Sequence, residues 1–120
     1  MKSPATGINR LFYATLFSAR GLKALWSGEA AFRQEVFMLL VLTPVILWVN
    51  VSPAERALLV LSLLLILVTE MLNSAVEAVV DRIGDEYHEL SGKAKDIGSA
   101  AVLFSLVGAS IIWGIILWPY

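Results

Sequence analysis

The sequence contains no cysteine among its 120 residues. Disulfide bonds, thiolate nucleophiles and cysteine-ligated metals are therefore excluded. Charged residues are also scarce, at 16% of the chain, whereas about a quarter is usual in globular domains. The formal net charge is -1, so the chain lacks the basic excess of a nucleic-acid-binding protein and no nucleic acid partner is expected.

Several familiar motifs are missing as well. The sequence has neither G-x-x-x-x-G-K-[ST] nor G-x-G-x-x-G, so no standard nucleotide motif is present. His88 is the single histidine, which argues against a histidine metal centre. The first residues do not form an apolar stretch, since Lys2 is followed by Pro4 and Gly7, and no cleaved signal peptide is expected.

Apolar residues make up 58% of the chain and are concentrated in three long runs. About 20 helical residues cross a hydrocarbon core of ~30 Å. We therefore predict membrane spans at 29–49, 54–80 and 96–118. Residues 6–26 mix large apolar and basic side chains, which predicts an amphipathic helix at the membrane surface; packing against the rest of the protein is the alternative. The side chains concerned are Ile8, Leu11, Phe12, Leu16, Leu22 and Leu25, with Arg10, Arg20 and Lys23.

Local chemistry predicts where these helices end. Ser27 and Gly28 interrupt the first helical pattern, and the run 50–53 (Asn-Val-Ser-Pro) is a turn signal. Pro44 should kink the first span unless neighbouring helices accommodate it. Residues 81–95 are polar and are predicted to form a loop between the second and third spans.

Basic residues predict the orientation. Only Arg56 lies on one side of the predicted spans, and eight basic residues lie on the other. By the positive-inside rule the N-terminus and the 81–95 loop face the cytoplasm. The eight residues are Lys2, Arg10, Arg20, Lys23, Arg33, Arg82, Lys93 and Lys95. Trp26 is then expected at the inner interface, and Trp48, Trp118 and Tyr120 at the outer one.

Carboxylates interrupt the second predicted span. Glu70, Glu77 and Asp81 are spaced i, i+7, i+11 and deviate by about 20° from one line along a helix. Such a polar stripe must face protein or water rather than lipid. Glu77 is predicted at the cytoplasmic interface, and Glu70 about two turns deeper. Glu29 begins the first span on the same side, and Lys95 and Asp96 begin the third.

These carboxylates suggest phosphoryl chemistry on a lipid. Mg²⁺ is typically held by one or two carboxylates together with nucleotide phosphates, a role that Glu29 and Glu77 suit. A base acting on a lipid hydroxyl must lie deeper, where Glu70 is expected. Lys95, with Arg10 or Arg33, would balance phosphate charge.

A structural interpretation is also open. Asn73 and Ser74 flank the carboxylate stripe, and polar residues within spans often serve as hydrogen-bonding contacts between helices. The acidic residues of the polar loop, Asp85, Glu86 and Glu89, are expected to form a solvated face. Small residues in the third span predict close helix packing; they are Ala101, Ser105, Ala109, Ser110 and Gly114.

Three segments resemble the signature of the prokaryotic diacylglycerol kinases. They are EMLNSAVEAVVDRIG at 70–84, EYHELSGKAKDIGSAA at 86–101 and EAAFRQE at 29–35. The resemblance implies an all-α membrane protein with an N-terminal amphipathic surface helix and three transmembrane helices per chain, assembled as a homotrimeric helix bundle. It also implies a location in the bacterial inner membrane with a cytoplasmic active site. The implied reaction transfers the γ-phosphate of ATP to diacylglycerol with Mg²⁺ as cofactor, giving phosphatidic acid.

The resemblance also implies roles for individual residues. By matched position Glu70 is the catalytic base, Asn73 supports it, and Glu29 and Glu77 hold Mg²⁺ and nucleotide. Further ATP contacts are implied for Arg10, Phe17, Glu86, Tyr87, His88, Lys95 and Asp96. Contacts with the lipid substrate are implied for Arg10, Ala31, Arg33, Glu35, Trp48, Arg56, Glu70, Ser99, Trp113 and Trp118. Phe17 departs from the family, which often has Tyr there, so a hydroxyl contact is lost.

Two alternatives remain at this stage. An undecaprenol kinase would use the same residues on a different lipid alcohol. A small proton-coupled transporter would use Glu70 as its carrier carboxylate, but such a residue should lie near the midplane, within reach of both sides. The acidic residues cluster towards one face instead, which favours the kinase.

Overall fold

The computed structural model describes residues 6–118, which form four α-helices. In chain order these are α1 (Ile8–Gly28), α2 (Ala30–Trp48), α3 (Pro53–Ile83) and α4 (Glu89–Leu117). The last three are long and apolar enough to cross a membrane, which confirms the predicted all-helical layout with three candidate spans. The predictions made for Lys2 and Tyr120 concern residues outside the described range.

A single residue separates α1 from α2. Glu29 has extended backbone angles (φ -122°, ψ 105°), and its N–H donates to Leu25 O at 2.9 Å, closing α1. Arg33 in the first turn of α2 donates from Nη1 to Trp26 O at 2.6 Å, which ties the two helices together at the corner. The helix therefore continues through Ser27 and Gly28, where it was predicted to break, and the break lies at Glu29.

The connection from α2 to α3 is defined by capping. Ser52 Oγ accepts from Glu55 N at 3.2 Å while Glu55 Oε1 accepts from Ser52 N at 3.0 Å, a reciprocal capping box. Arg56 donates to the carbonyls of Ile46 and, at 3.2 Å, Val49, which satisfies oxygens left free at the end of α2. Pro53 at the start of α3 leaves no N–H unpaired there. The turn predicted at 50–53 is thus confirmed.

α3 and α4 form the most extensive helix pair of the chain. Leu59, Leu63 and Ile66 are buried on α3, and Ala109 and Ile116 on α4 join them in one apolar core. Because the predicted small residue Ala109 faces this core, the helices can approach closely.

Two side-chain hydrogen bonds also join α3 to α4. Thr69 Oγ1 donates to Ser105 Oγ at 2.9 Å, and Trp113 Nε1 donates to Ser62 Oγ at 2.9 Å. Ser105 is buried, as a packing position should be. Each such bond contributes on average about 0.6 kcal/mol in a membrane.

The polar connection between α3 and α4 is shorter than predicted. Only residues 84–88 are non-helical, because α3 continues to Ile83 and α4 begins at Glu89. His88 caps α4 by accepting from Leu90 N at 3.1 Å through Nδ1. The predicted boundaries at 81 and 95 followed apolar content, whereas polar residues form helix readily once capped. Lys95 and Asp96 therefore lie in the second turn of α4, not at its start.

Many large apolar side chains are exposed on the outer surface of the helices. In the most apolar window of α2 only 11% of residues are buried, against 33% in α3. Such a surface requires lipid or another protein surface rather than water. No residue of α1 is buried, so its apolar side chains can also contact lipid or another protein surface.

We predict that Leu59→Ala lowers the free energy of unfolding by about 2–5 kcal/mol, because Leu59 is fully buried in the α3–α4 core and its loss leaves a cavity. Leu59→Met is the control at the same position and should cost less than about 1.5 kcal/mol, since side-chain volume is conserved. Denaturant-induced loss of helicity in detergent micelles measures both. Equal stability of the two variants would show that this core does not hold α3 to α4.

Candidate active site

Glu70 lies on the buried face of α3. The buried residues of that helix follow one stripe, from Leu59 through Leu63 and Ile66 to Glu70 and then Ser74. Glu70 is only 6% exposed. The face that builds the apolar core therefore continues directly into a carboxylate, which is shielded by protein as the sequence predicted.

Three further carboxylates interact electrostatically with Glu70. Glu29 and Glu77 lie within electrostatic range of it, and Glu35 on α2 does so as well. Glu29 reaches the site because the helix break places it at the corner between α1 and α2. Glu29 and Glu77 are thus near enough to Glu70 for their charges to act on it.

Glu35 is one of the carboxylates near Glu70. The family resemblance linked it only to the lipid substrate. It is half-buried, and its Oε2 is shielded from solvent without a hydrogen-bond partner among residues 6–118. A buried oxygen of this kind needs a donor or a cation. Its spacing from Glu29, six residues along α2, gave no pattern that would have singled it out.

Asn73 donates a hydrogen bond to Glu77. Its Nδ2 donates to Glu77 Oε1 at 3.3 Å, one turn along α3. Glu70 is three residues from Asn73 and Glu77 is four, so both carboxylates neighbour it on the helix, and its support of Glu70 stays a prediction. The amide oxygen of Asn73, Oδ1, is buried and has no hydrogen-bond partner within the described chain.

An apolar groove opens beside the carboxylates, between α1 and α3. Its volume is about 610 Å³. Glu29 and Ser74 provide its polar edge, and Ser74 Oγ is buried without a hydrogen-bond partner among residues 6–118. Apolar or small side chains form the rest of the wall, namely Gly21, Leu22, Ala24, Leu25, Met71, Ala75 and Ala78, with Ser18. An apolar wall with a polar edge suits an amphiphilic ligand.

Lys95 is paired with a neighbouring acid. Its Nζ lies 2.8 Å from Asp81 Oδ1, which links α4 to the last turns of α3. Both side chains are substantially exposed, so the pair contributes little to stability. The third acid of the predicted stripe, Asp81, thus belongs to this ion pair, and Lys95 is positioned at the same end of the helices as the carboxylates.

The remaining residues that the resemblance linked to ATP are exposed. They lie on α1 and around the connection from α3 to α4. Arg10 and Phe17 are on α1, where the Phe17 ring contacts the Arg20 guanidinium at 5.8 Å. Glu86, Tyr87, His88 and Asp96 lie in or just after the connection from α3 to α4. His88 has a structural role there as the cap of α4.

Several residues linked to lipid already have protein partners. Arg33 bonds to the end of α1, Arg56 to the end of α2, and Trp113 to Ser62. Trp48, Trp118, Ala31 and Ser99 are exposed, as a lipid contact would require. The first group therefore also stabilises the protein.

The carboxylates suit a hard cation that is completed by a second ligand. Residues 6–118 contain no group of three or more acidic or histidine side chains placed to hold a metal alone. Mg²⁺, however, commonly takes one or two carboxylates plus phosphate oxygens and water. Glu29 and Glu77 supply such oxygen donors beside Glu70, so the donor set fits Mg²⁺ that arrives with nucleotide.

Comparison with known proteins shows the family of this chain. The family model for prokaryotic diacylglycerol kinase matches residues 16–117. The chain is 50% identical to the diacylglycerol kinase of Escherichia coli strain K12, over all of this chain and 98% of the relative. It is 47% identical to the diacylglycerol kinase of Haemophilus influenzae, over 93% of this chain and 95% of the relative.

The chain belongs to the prokaryotic diacylglycerol kinase family. The family resemblance read from the sequence is thereby confirmed. The helices that the family model covers include α2, α3 and α4 entirely, together with the groove-lining half of α1. In this member of the prokaryotic diacylglycerol kinase family, the carboxylates and the groove thus lie within the matched region.

We predict that Glu77→Gln weakens the binding of Mg²⁺ with a non-hydrolysable ATP analogue by about tenfold or more, because a charged oxygen donor is lost. Titration calorimetry of the protein in detergent measures the dissociation constant. Asp85→Asn removes a carboxylate from the exposed connection and should leave binding unchanged. If Glu77→Gln binds as tightly as the wild type, Glu77 does not hold the metal.

Proposed function

We propose that this protein is an ATP-dependent diacylglycerol kinase. It transfers the γ-phosphate of Mg-ATP to the hydroxyl of diacylglycerol and releases phosphatidic acid and ADP. The observation that supports this most strongly is the buried carboxylate of Glu70, which lies among other carboxylates beside an apolar groove. The relatives named as diacylglycerol kinases point to the same acceptor.

Glu70 acts as the general base in this proposal. Its carboxylate accepts the proton of the lipid hydroxyl, and the hydroxyl oxygen forms a bond to the γ-phosphorus as the bond to the ADP oxygen breaks. A base must lie within hydrogen-bonding reach of the hydroxyl. The groove between α1 and α3 supports this placement, because Ser74 and Glu29 mark its polar edge.

Glu29 and Glu77 hold the metal–nucleotide complex. Bound Mg²⁺ would neutralise charge on the phosphates and orient them. Glu29 comes from the α1–α2 corner and Glu77 from α3, so together they fix the nucleotide relative to both. Asn73 orients Glu77 through its amide.

Basic residues complete the phosphate site. Lys95 lies at the same end of α3 and α4 and exchanges Asp81 for phosphate when nucleotide binds, since both members of the ion pair are exposed to solvent. Arg10 approaches the phosphates from α1. Phe17 lies on the same helix and lacks the hydroxyl contact that is common in the family. Tyr87 and His88 lie beside the nucleotide, together with Glu86 and Asp96.

The proposed setting is the bacterial inner membrane with the active site on the cytoplasmic side. The eight basic residues on the carboxylate side of the spans support this orientation. α1 lies along the membrane surface and covers the groove. A homotrimer is supported by the large apolar surface of α2, because neighbouring copies would cover part of it.

The test of the proposed function is a transfer assay. Purified protein in lipid bicelles is given γ-labelled ATP, Mg²⁺ and a panel of lipid alcohols, including diacylglycerol and undecaprenol. We expect labelled phosphatidic acid as the main product. A preference for undecaprenol would reassign the acceptor, and transfer to none of the alcohols would reject a kinase.

We predict that Glu70→Gln lowers the rate of transfer by about 10²–10⁴-fold, the usual contribution of a general base. Binding of the Mg²⁺–nucleotide complex should stay within a few-fold of the wild type, because Gln keeps the shape of the side chain. Turnover and titration calorimetry together separate the two effects. Wild-type turnover in Glu70→Gln would exclude Glu70 as the base.

A further inference from the structure

Asn73 is held between a carboxylate on its own helix and a glycine on the next one. Its Nδ2 donates to Glu77 Oε1 at 3.3 Å, while its buried Oδ1 lies against Gly98 of α4. A methyl group added at Gly98 would overlap Oδ1 and lie 3.3 Å from Asn73 Cγ and 3.8 Å from Asn73 Cα. The distance to Cα is an ordinary van der Waals contact, so the overlap is with the amide, and only glycine at 98 leaves the amide in its present position.

The other glycines of α4 do not share this arrangement. A methyl group added at Gly108 or Gly114 would meet nothing within 4 Å, and one at Gly92 would meet only the ring of Tyr87 at 3.3 Å. The close approach at Gly98 is therefore a local feature beside Asn73 rather than a general property of a small-residue stripe.

We propose that Gly98 is a positioning residue for the metal–nucleotide site, acting through Asn73 on Glu77. The inference rests on the proposed function, in which Glu77 holds Mg²⁺ with nucleotide. With a side chain at 98, the Asn73 amide must turn away, and its hydrogen bond to Glu77 breaks. Residues that orient a metal-ligating carboxylate typically affect metal affinity or activity about 10–100-fold.

The fold should survive this change. An apolar cleft of about 340 Å³ is lined by both Asn73 and Gly98, so the displaced amide has space to enter it. The core that joins α3 to α4 lies further along the helices, around Leu59 and Ala109. Alanine is also a better helix former than glycine. A Gly98→Ala protein should thus be folded but have Glu77 poorly oriented.

The experiment is a double-mutant cycle read by binding rather than by turnover. Mn²⁺, which accepts the same oxygen ligands as Mg²⁺, is titrated into the protein in the presence of ADP. The concentration of free Mn²⁺ is measured by electron paramagnetic resonance. We expect Gly98→Ala and Asn73→Ala each to weaken Mn²⁺–ADP binding by about tenfold or more. The double variant should bind like Asn73→Ala alone, because the overlap disappears with the amide. Gly108→Ala is the matched control and should bind like the wild type.

Each result decides between the alternatives. Wild-type binding by Gly98→Ala, or losses that multiply in the double variant, would overturn the inference. If Gly98→Ala fails to fold, a folded double variant that binds like Asn73→Ala still supports the overlap, and an unfolded double variant contradicts it. The lipid transfer assay on the wild type is separate: transfer to no lipid alcohol rejects the proposed function, whereas transfer with normal Gly98→Ala binding rejects only the role of Gly98.

Discussion

The burial of a carboxylate in an apolar membrane helix is the constraint on which this structure depends. A charged side chain at the centre of a bilayer costs at least about 2.5–3.5 kcal/mol on insertion scales, so Glu70 must be enclosed by protein near one membrane face. The chain achieves this by continuing the buried stripe of α3, which begins at Leu59, into Glu70 and Ser74. The packing of α3 on α4 thus forms the core and also keeps the site out of lipid.

The same constraint explains the shape of the rest of the site. Glu29 approaches Glu70 because the backbone breaks at one extended residue between two helices, and Arg33 fixes that corner by bonding back to α1. The carboxylates therefore come from the α1–α2 corner and from α3, and the Arg33 side chain fixes the geometry of that corner. Like charges placed together repel, which favours the arrival of a cation or of lysine and arginine at this place. Glu35 Oε2, which is buried without a hydrogen-bond partner among residues 6–118, has the same consequence.

Much of this arrangement could be predicted from the sequence. Long apolar runs fixed the number of spans, and helical spacing placed Glu70 and Glu77 on one line, because both signals depend only on periodicity. The predicted end of the polar connection was wrong. His88 caps α4, which therefore begins at Glu89, and hydropathy carries no information about a cap. The close contact between Asn73 and Gly98 could not be predicted either. The sequence shows that Glu77 is four residues from Asn73, but not that Gly98 of another helix lies against the amide oxygen.

Depth along α3 separates two kinds of chemistry that would otherwise interfere. Exposure increases from Glu70, which is buried, through Glu77, which is half-buried, to Asp81, which is exposed. A metal ion with phosphates needs water and counter-charges, whereas a lipid hydroxyl remains near the apolar groove. One helix with a seven-residue spacing between its carboxylates places them about 10 Å apart along its axis. Asn73 lies between the two carboxylates on α3 and donates to Glu77, so the helix that separates them in depth also orients the outer one.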